Sequence, residues 1–419
     1  MSSGSGRYIG DEWPTLSDGR EYDVQQLLAL VRDGNSPFKK TVDMNLVIRE
    51  VEAAVGLHCK LSDQREILVR LGRSDVNMPN YDGFDMDFLL GDIKFETAVY
   101  KLLELNSEVP VSRLLYSRLP VIQRTDHRAA AVAVPTDLAG RRLMVFEKVD
   151  GRDNVWGCLS PEGKRNLLAQ AARIRTSLFN FIVPADFAAT WFLPRTFKFM
   201  PKELPLPFTT NPTREFWTVV FQSKIEATIG EEGQMIGWES DNNIVGPEAS
   251  KAKQSLLRFI PHMLPTGADT EWLYRPVLEH GDYGIHNMSI AVGATGEPLI
   301  TSLYDWETGS IVPGLLADPE MAVPVDLTAD ENGQPRITRV GSDATTEYCN
   351  EYLEYADHYL TSLYKGAPDF KRCIVAGRDA RYLWSALKNW RGDEPEDFFG
   401  SLGAWADRRM LEIGAGSHG

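Results

Sequence analysis

The segment His280-Gly-Asp282-Tyr-Gly-Ile-His-Asn287 places a histidine just before an acid and an asparagine five residues after it. Further on, Leu303-Tyr-Asp305-Trp-Glu-Thr-Gly309 supplies a second acid. Phosphoryl transfer needs such a set. A carboxylate takes or orients the proton of the attacking hydroxyl, while an amide oxygen and another carboxylate hold Mg²⁺ across the phosphates. On this reading Asp282 is the base, and Asn287 and Asp305 are metal ligands. Hard Mg²⁺ takes few protein oxygens and leaves its other positions to water and phosphate, so two protein donors suffice. The plain alternative is a turn followed by an ordinary strand-end acid, and the pairing of the two pieces weighs against it.

The elements between them predict how they meet. Asn287-Met-Ser-Ile-Ala-Val292 is a short apolar run, Gly293-Ala-Thr-Gly296 is turn chemistry, and Pro298 to Tyr304 is a second run. An antiparallel hairpin brings its outer ends together. Asn287 enters it and Asp305 leaves it, so both can reach one ion.

The pattern HGDxxxxN followed by Asp305-Trp306-Glu307 resembles the aminoglycoside phosphotransferase and choline kinase-like family, which shares the protein-kinase fold. The long chain with its tryptophan-rich tail is similar to fungal members. In protein kinases HRD stands where this chain has His280-Gly281-Asp282, and DFG where it has Asp305-Trp306-Glu307. The resemblance covers roughly residues 40 to 400. It implies an α+β, two-lobed enzyme moving the γ-phosphate of ATP onto a small-molecule hydroxyl with Mg²⁺. The expected parts are an extension (1–40), a nucleotide-binding lobe with an antiparallel sheet and one helix (41–149), and a larger, mainly helical catalytic lobe (150–419).

A kinase also needs a cation on the nucleotide phosphates and an acid to hold that cation. Glu66-Ile-Leu-Val-Arg70-Leu71 reads as a strand, where the family carries lysine or arginine. Arginine keeps its charge and offers a planar fork to phosphate or carboxylate. Asp92 to Leu105 reads as a helix with Glu96 on the stripe of Val99, Tyr100 and Leu103. An inward acid demands a partner, and Arg70 matches the lysine–glutamate pair of kinases. Otherwise Arg70 reaches water and Glu96 sits at a helix N-terminus. Arg142 to Val149 reads as an apolar strand. The resemblance makes it the connector, where main-chain groups of Phe146, Glu147 and Lys148 meet the adenine edge; a simple buried strand fits the residues equally.

The pattern departs at the phosphate loop. Leu46 to Glu52 and Cys59 to Leu61 read as two runs of a hairpin whose only glycine is Gly56. That keeps open a second class of function, a nucleotide-binding pseudokinase without turnover.

The 419 residues exceed one ordinary core, and 43% hydrophobic with 25% charged is a globular composition. No apolar run approaches a membrane span, the start lacks a signal peptide's pattern, and Cys59, Cys158, Cys349 and Cys373 show no metal spacing, so a cytosolic protein with reduced thiols is expected. A short helix is expected around Asp23–Val31, and a long one from Ser160, with Leu167, Ala171, Ile174 and Leu178 under the catalytic loop. The net charge of −15 disfavours nucleic acid and anionic membranes and fits a cationic small molecule. Asp393 and Glu394 read as amine-binding acids or, more simply, as helix N-terminal acids. Trp384, Trp390 and Trp405 read as core. His286 reads as touching substrate or bracing backbone, and His280 as a brace for Asp282.

Overall fold

The computed structural model describes residues 43–55, 66–72, 86–106, 108–120, 123–124, 132–133, 138–196, 212–229, 245–267, 270–389 and 395–414, with Leu30 and Asn35. The expected helix at Asp23–Val31, Gly56, the run from Cys59 to Leu61, Trp390, Asp393 and Glu394 lie outside these or nearly so. Two compact units form, one of Met1–Asn106 with Val111–Val149 and one of Ser107–Pro110 with Asp150–Gly419.

In the first unit an antiparallel sheet runs in the order β1 (Ile67–Leu71), β3 (Leu143–Glu147), β2 (Leu114–Arg118). The central strand β3 buries Leu143, Met144, Val145 and Phe146 in succession, as a strand covered on both faces requires. Among the described residues two helices of several turns accompany the sheet. One of them, α1 (Met44–Val55), corrects the hairpin expected from the run Leu46–Glu52. As a strand, that run would carry Glu50 and Glu52 on one face and Arg49 on the other, so either face would bury a charge. The helical spacing separates them. Val47 and Val51 pack on Leu138, Leu143 and Val145, Asp43 Oδ1 accepts from the Asn45 N–H at 2.9 Å, and Glu50 accepts from Tyr116 and Arg118. The second helix, α2 (Met86–Leu103), starts ahead of its expected Asp92 and buries Phe95, Val99, Tyr100 and Leu103. Tyr100 meets Phe146 edge to face at 4.9 Å.

The second unit is mainly helical. α3 (Pro161–Asn180) opens with Ser160 Oγ accepting from the Gly163 N–H at 3.1 Å, with proline at its first position. It buries Leu167, Ala171, Ile174 and Leu178. Then come α4 (Ala185–Thr196), α5 (Arg214–Thr228) and α6 (Val245–Met263). Strand β4 (Pro276–Glu279) pairs with β7 (Ser310–Pro313), and between them the hairpin β5 (Met288–Val292) and β6 (Pro298–Leu303) forms in the register Met288–Leu303 to Val292–Pro298. A small sheet, β8 (Met321–Ala322), β9 (Asp326–Ala329) and β10 (Pro335–Thr338), precedes α7 (Thr346–Gly366), α8 (Pro368–Ala376), α9 (Arg378–Asn389) and α10 (Pro395–Glu412). Trp405 is buried against Phe259, as a core residue is, while Trp384 is half-buried and meets Phe221. Cys158, Cys349 and Cys373 are free thiols. Among the described residues no helix is long and apolar enough to cross a membrane.

Candidate functional site

The loop from His280 to Asn287 is built from the outside in. His280 is fully buried against Trp306, ring centroids 4.5 Å apart. Its Nε2 lies 2.9 Å from the Tyr304 carbonyl, and its Nδ1 accepts from the Asp282 N–H at 3.4 Å. A carbonyl only accepts, so Nε2 carries the hydrogen and the ring is neutral. Burial pushes its pKa down to about 4 against the pull of the Tyr304 carbonyl. His280 therefore braces the Asp282 backbone as a neutral clamp. Gly281 has φ +84°, and a Cβ there would strike the Thr308 carbonyl. Only glycine gives that turn without strain.

The acid itself is half-exposed, and Oδ2 takes two hydrogen bonds. Asn287 Nδ2 donates at 3.0 Å, and His286 Nε2 stands at 3.0 Å. Asn287 Nδ2 also reaches the Asp282 carbonyl at 2.9 Å. Partial burial would raise the Asp282 pKa. The hydrogen bond and charge of His286, with the Asn287 amide, outweigh it and hold the carboxyl below its usual range. Asp282 is an ionised acceptor.

The hairpin joins this loop to Asp305. The Tyr304 N–H donates to the Asn287 carbonyl at 3.0 Å and Tyr304 Oη to the His286 carbonyl at 2.8 Å. Asp305 follows with φ 68° and ψ 58°, a left-handed conformation outside glycine that costs roughly 1–2 kcal/mol. Strain of that kind persists where surrounding contacts over-determine it and clusters at functional sites. Two arginine contacts hold the turn that follows it. Arg195 of α4 donates from Nε to the Gly309 carbonyl at 2.8 Å and from Nη2 to the Glu307 carbonyl at 2.5 Å. With Nδ2 of Asn287 turned to Asp282, its amide oxygen is the atom left to face a cation. An amide oxygen and a carboxylate are the hard donors Mg²⁺ takes, so Asn287 and Asp305 fit that ion.

Two supports escaped the sequence reading. Glu279 is buried at the end of β4, its Oε2 2.9 Å from Nη1 of Arg175 on α3, and burial pushes its pKa up to about 7 against the pull of that guanidinium. Arg175 also donates to the Asp318 carbonyl and lies 4.7 Å from the Tyr283 ring, while Tyr283 Oη donates to the Ala171 carbonyl at 2.7 Å. The signal was present: an arginine four residues beyond Ala171 on the apolar stripe of α3, and an acid closing an apolar strand. His286 was weighed against substrate or backbone, but its side chain meets Asp282.

In the first unit, Arg70 Nη1 lies 2.8 Å from Glu96 Oε1, and Glu96 is fully buried with Arg142 Nη1 3.6 Å from its other oxygen. Strand and helix thus bring the expected pair together and add a second arginine. Phe146 is buried in β3, and the following residues close the sheet. The Glu147 N–H donates to the Arg113 carbonyl at 2.9 Å and the Lys148 N–H to the Glu66 carbonyl at 3.0 Å. These two amides are spent within the unit.

No family model matches the chain, and no curated protein matches it. Among solved structures it is similar to an ethanolamine kinase of Plasmodium vivax, at 13% identity and TM-score 0.37, covering 85% of this chain and 78% of that one. A streptomycin–ATP ternary complex of APH(2")-IIa matches at 13% identity and TM-score 0.35, covering 78% and 82%. A microcompartment-associated aminopropanol kinase matches at 14% identity and TM-score 0.34, covering 84% and 88%. Likenesses at this level carry no argument about activity, which rests on the site.

Proposed function

We propose that this protein is an ATP-dependent phosphotransferase of the aminoglycoside phosphotransferase and choline kinase-like kind, acting on a hydroxyl of a small molecule. One observation carries the reading: an ionised, half-exposed Asp282 fixed by an amide and an imidazole, beside an asparagine tied through its hairpin to the strained Asp305. Asp282 receives the hydroxyl proton as the acceptor oxygen attacks the γ-phosphorus, and the bond from that phosphorus to the β–γ bridging oxygen breaks to release ADP. Asn287 and Asp305 would hold Mg²⁺, which when bound would neutralise charge on the phosphates. His280 and Gly281 set the loop, and Arg175 with Glu279 anchors it. In the first unit, Arg70, oriented by Glu96, is assigned to the nucleotide phosphates. A role beside the adenine for Phe146, Glu147 and Lys148 falls to groups other than the two spent amides. The acid-rich balance suits an amine-bearing acceptor.

The second reading, nucleotide binding without turnover, draws support from α1, a helix where the first strand of a phosphate-cradling hairpin was expected. Incubation of the pure protein with γ-labelled ATP, Mg²⁺ and a fractionated metabolite extract separates the two. Label appearing in a small molecule is the expected result. Binding of Mg·ATP with no transfer to any fraction would favour the second reading.

A further inference from the structure

The side chain of His286 is half-exposed, so burial does not force its ring onto Asp282. Yet Nε2 lies 3.0 Å from Oδ2, the oxygen that Asn287 Nδ2 also meets at 3.0 Å. Two features hold the ring there. The His286 carbonyl accepts from Tyr304 Oη at 2.8 Å, which anchors the residue at its backbone. Gly284 supplies the room, because a Cβ on it would stand 2.5 Å from His286 Cε1 and 2.7 Å from Nδ1. An aspartate carboxylate otherwise turns over a broad, roughly two-fold torsion. Two donors converging on one oxygen remove that freedom.

We propose that His286 is a positioning residue: by holding Oδ2 together with Asn287, it presents Oδ1 as the single oxygen that meets the acceptor hydroxyl. The inference rests on Asp282 being the base. Nε2 carries a hydrogen in this arrangement, because a carboxylate oxygen only accepts. Asn287 alone would leave the carboxylate hinged on one bond shared with the Asp282 carbonyl.

The test compares His286→Ala, His286→Gln and Gly284→Ala with the wild-type chain, by steady-state kinetics on an accepted hydroxyl substrate. Crystal structures of the wild type and of the His286→Ala and His286→Gln variants accompany the kinetics. A glutamine amide reaches much the same point as Nε2 and donates there. His286→Ala and Gly284→Ala are expected to lower kcat by about ten- to a hundredfold, as misplacement of a reacting group does, with KM for ATP within about twofold. His286→Gln is expected to recover most of the loss. Wild-type kcat in His286→Ala, or a glutamine variant no better than alanine, overturns the proposal. If the wild-type chain phosphorylates no hydroxyl, the functional reading falls, and the crystal structures decide the positioning by themselves. A carboxylate held through Oδ2 in wild type and His286→Gln but turned in His286→Ala supports it; the same orientation in all three overturns it.

Discussion

Glu96 and Asp282 are both acids with an assigned part in the proposed reaction, and the two units hold them in opposite ways. Glu96 is fully buried between Arg70 and Arg142, so its charge is matched by cations and closed to solvent. Asp282 is half-exposed, and hydrogen bonds from an asparagine amide and an imidazole hold it. The difference follows the chemistry asked of each. An acid that orients an arginine works through direct contact with that cation, and burial holds the pair together. An acid that receives a proton must be reachable and must keep an unoccupied oxygen. A guanidinium fork across Asp282 would occupy both oxygens. Glu279, three residues before Asp282, is built like Glu96 and not like its neighbour, so what burial and partners decide here is local.

The comparison breaks most sharply at Asp282. Asp282→Asn keeps the shape and removes the base, so kcat should fall by about 10²–10⁴-fold while ATP affinity, measured by calorimetry, stays near wild type. Near-native turnover on any accepted substrate would show that the exposed acid is not the one doing proton chemistry.

The metal pair comes next. Asp305→Ala removes a charged ligand and Asn287→Ala a neutral one, so both should raise the Mg²⁺ midpoint of ATP turnover, Asp305→Ala more. The shift should reach at least the roughly 10–100-fold that loss of even an outer partner costs a metal site. Magnesium titrations that superimpose for the wild type and both variants would remove them from the metal shell.

Proton linkage sharpens the contrast around the loop. Folding lowers the His280 pKa from 6.5 to about 4, so the unfolded chain binds the extra proton between these values. Stability on this account is full above pH 6.5 and is lost as pH falls toward 4, by about 3 kcal/mol in all. Glu279 works the other way. Its folded pKa is raised from 4.5 to about 7, so its contribution is present below pH 4.5 and is lost as pH rises through 7. The two slopes oppose each other between pH 4.5 and 6.5. In urea denaturation across that range, His280→Gln should make stability fall with rising pH relative to wild type, and Glu279→Gln should make it rise. Unchanged slopes in both variants would mean that neither group is held as described.

The smallest effect belongs to the buried pair. Arg70→Ala and Glu96→Ala should each weaken ATP use, with the double variant little worse than either, a coupling of roughly 0.5–3 kcal/mol. Arg70→Lys should be partly tolerated, because the charge stays while the fork is lost. Arg142, 3.6 Å from Glu96, softens the loss of Arg70. Fully additive losses in a cycle on kcat/KM for ATP would show that the contact has no part in nucleotide use.

Most of the second unit's site was legible because its constraints are short-range. A hairpin between Asn287 and Asp305 is written in alternating apolar residues and a Gly-rich turn, and the outer ends of any such hairpin must meet. The Ser160 cap and the stripe of α3 are equally local signals. The region around α1 was read less well. Val47, Ile48 and Val51 are β-branched, and only placing Arg49, Glu50 and Glu52 on strand faces exposes the conflict that a helix resolves. The amides of Glu147 and Lys148 show a further limit: a strand in the sequence does not say which of its amides the neighbouring strands consume.

Residue order alone determined which groups are available for chemistry. It set an acid, an amide and a second acid at fixed spacing on a turn and a hairpin, because turn geometry and two-residue periodicity depend only on neighbours in the chain. Tertiary structure decided the state of each group. Whether the backbone of His286 is tied to Tyr304, whether Glu279 stands alone or meets Arg175 from a helix far earlier in the chain, and whether the turn after Asp305 finds Arg195 are set by contacts between distant segments. Burial and charge pairing fix protonation and orientation, and both depend on what packs alongside, which spacing along the chain does not encode.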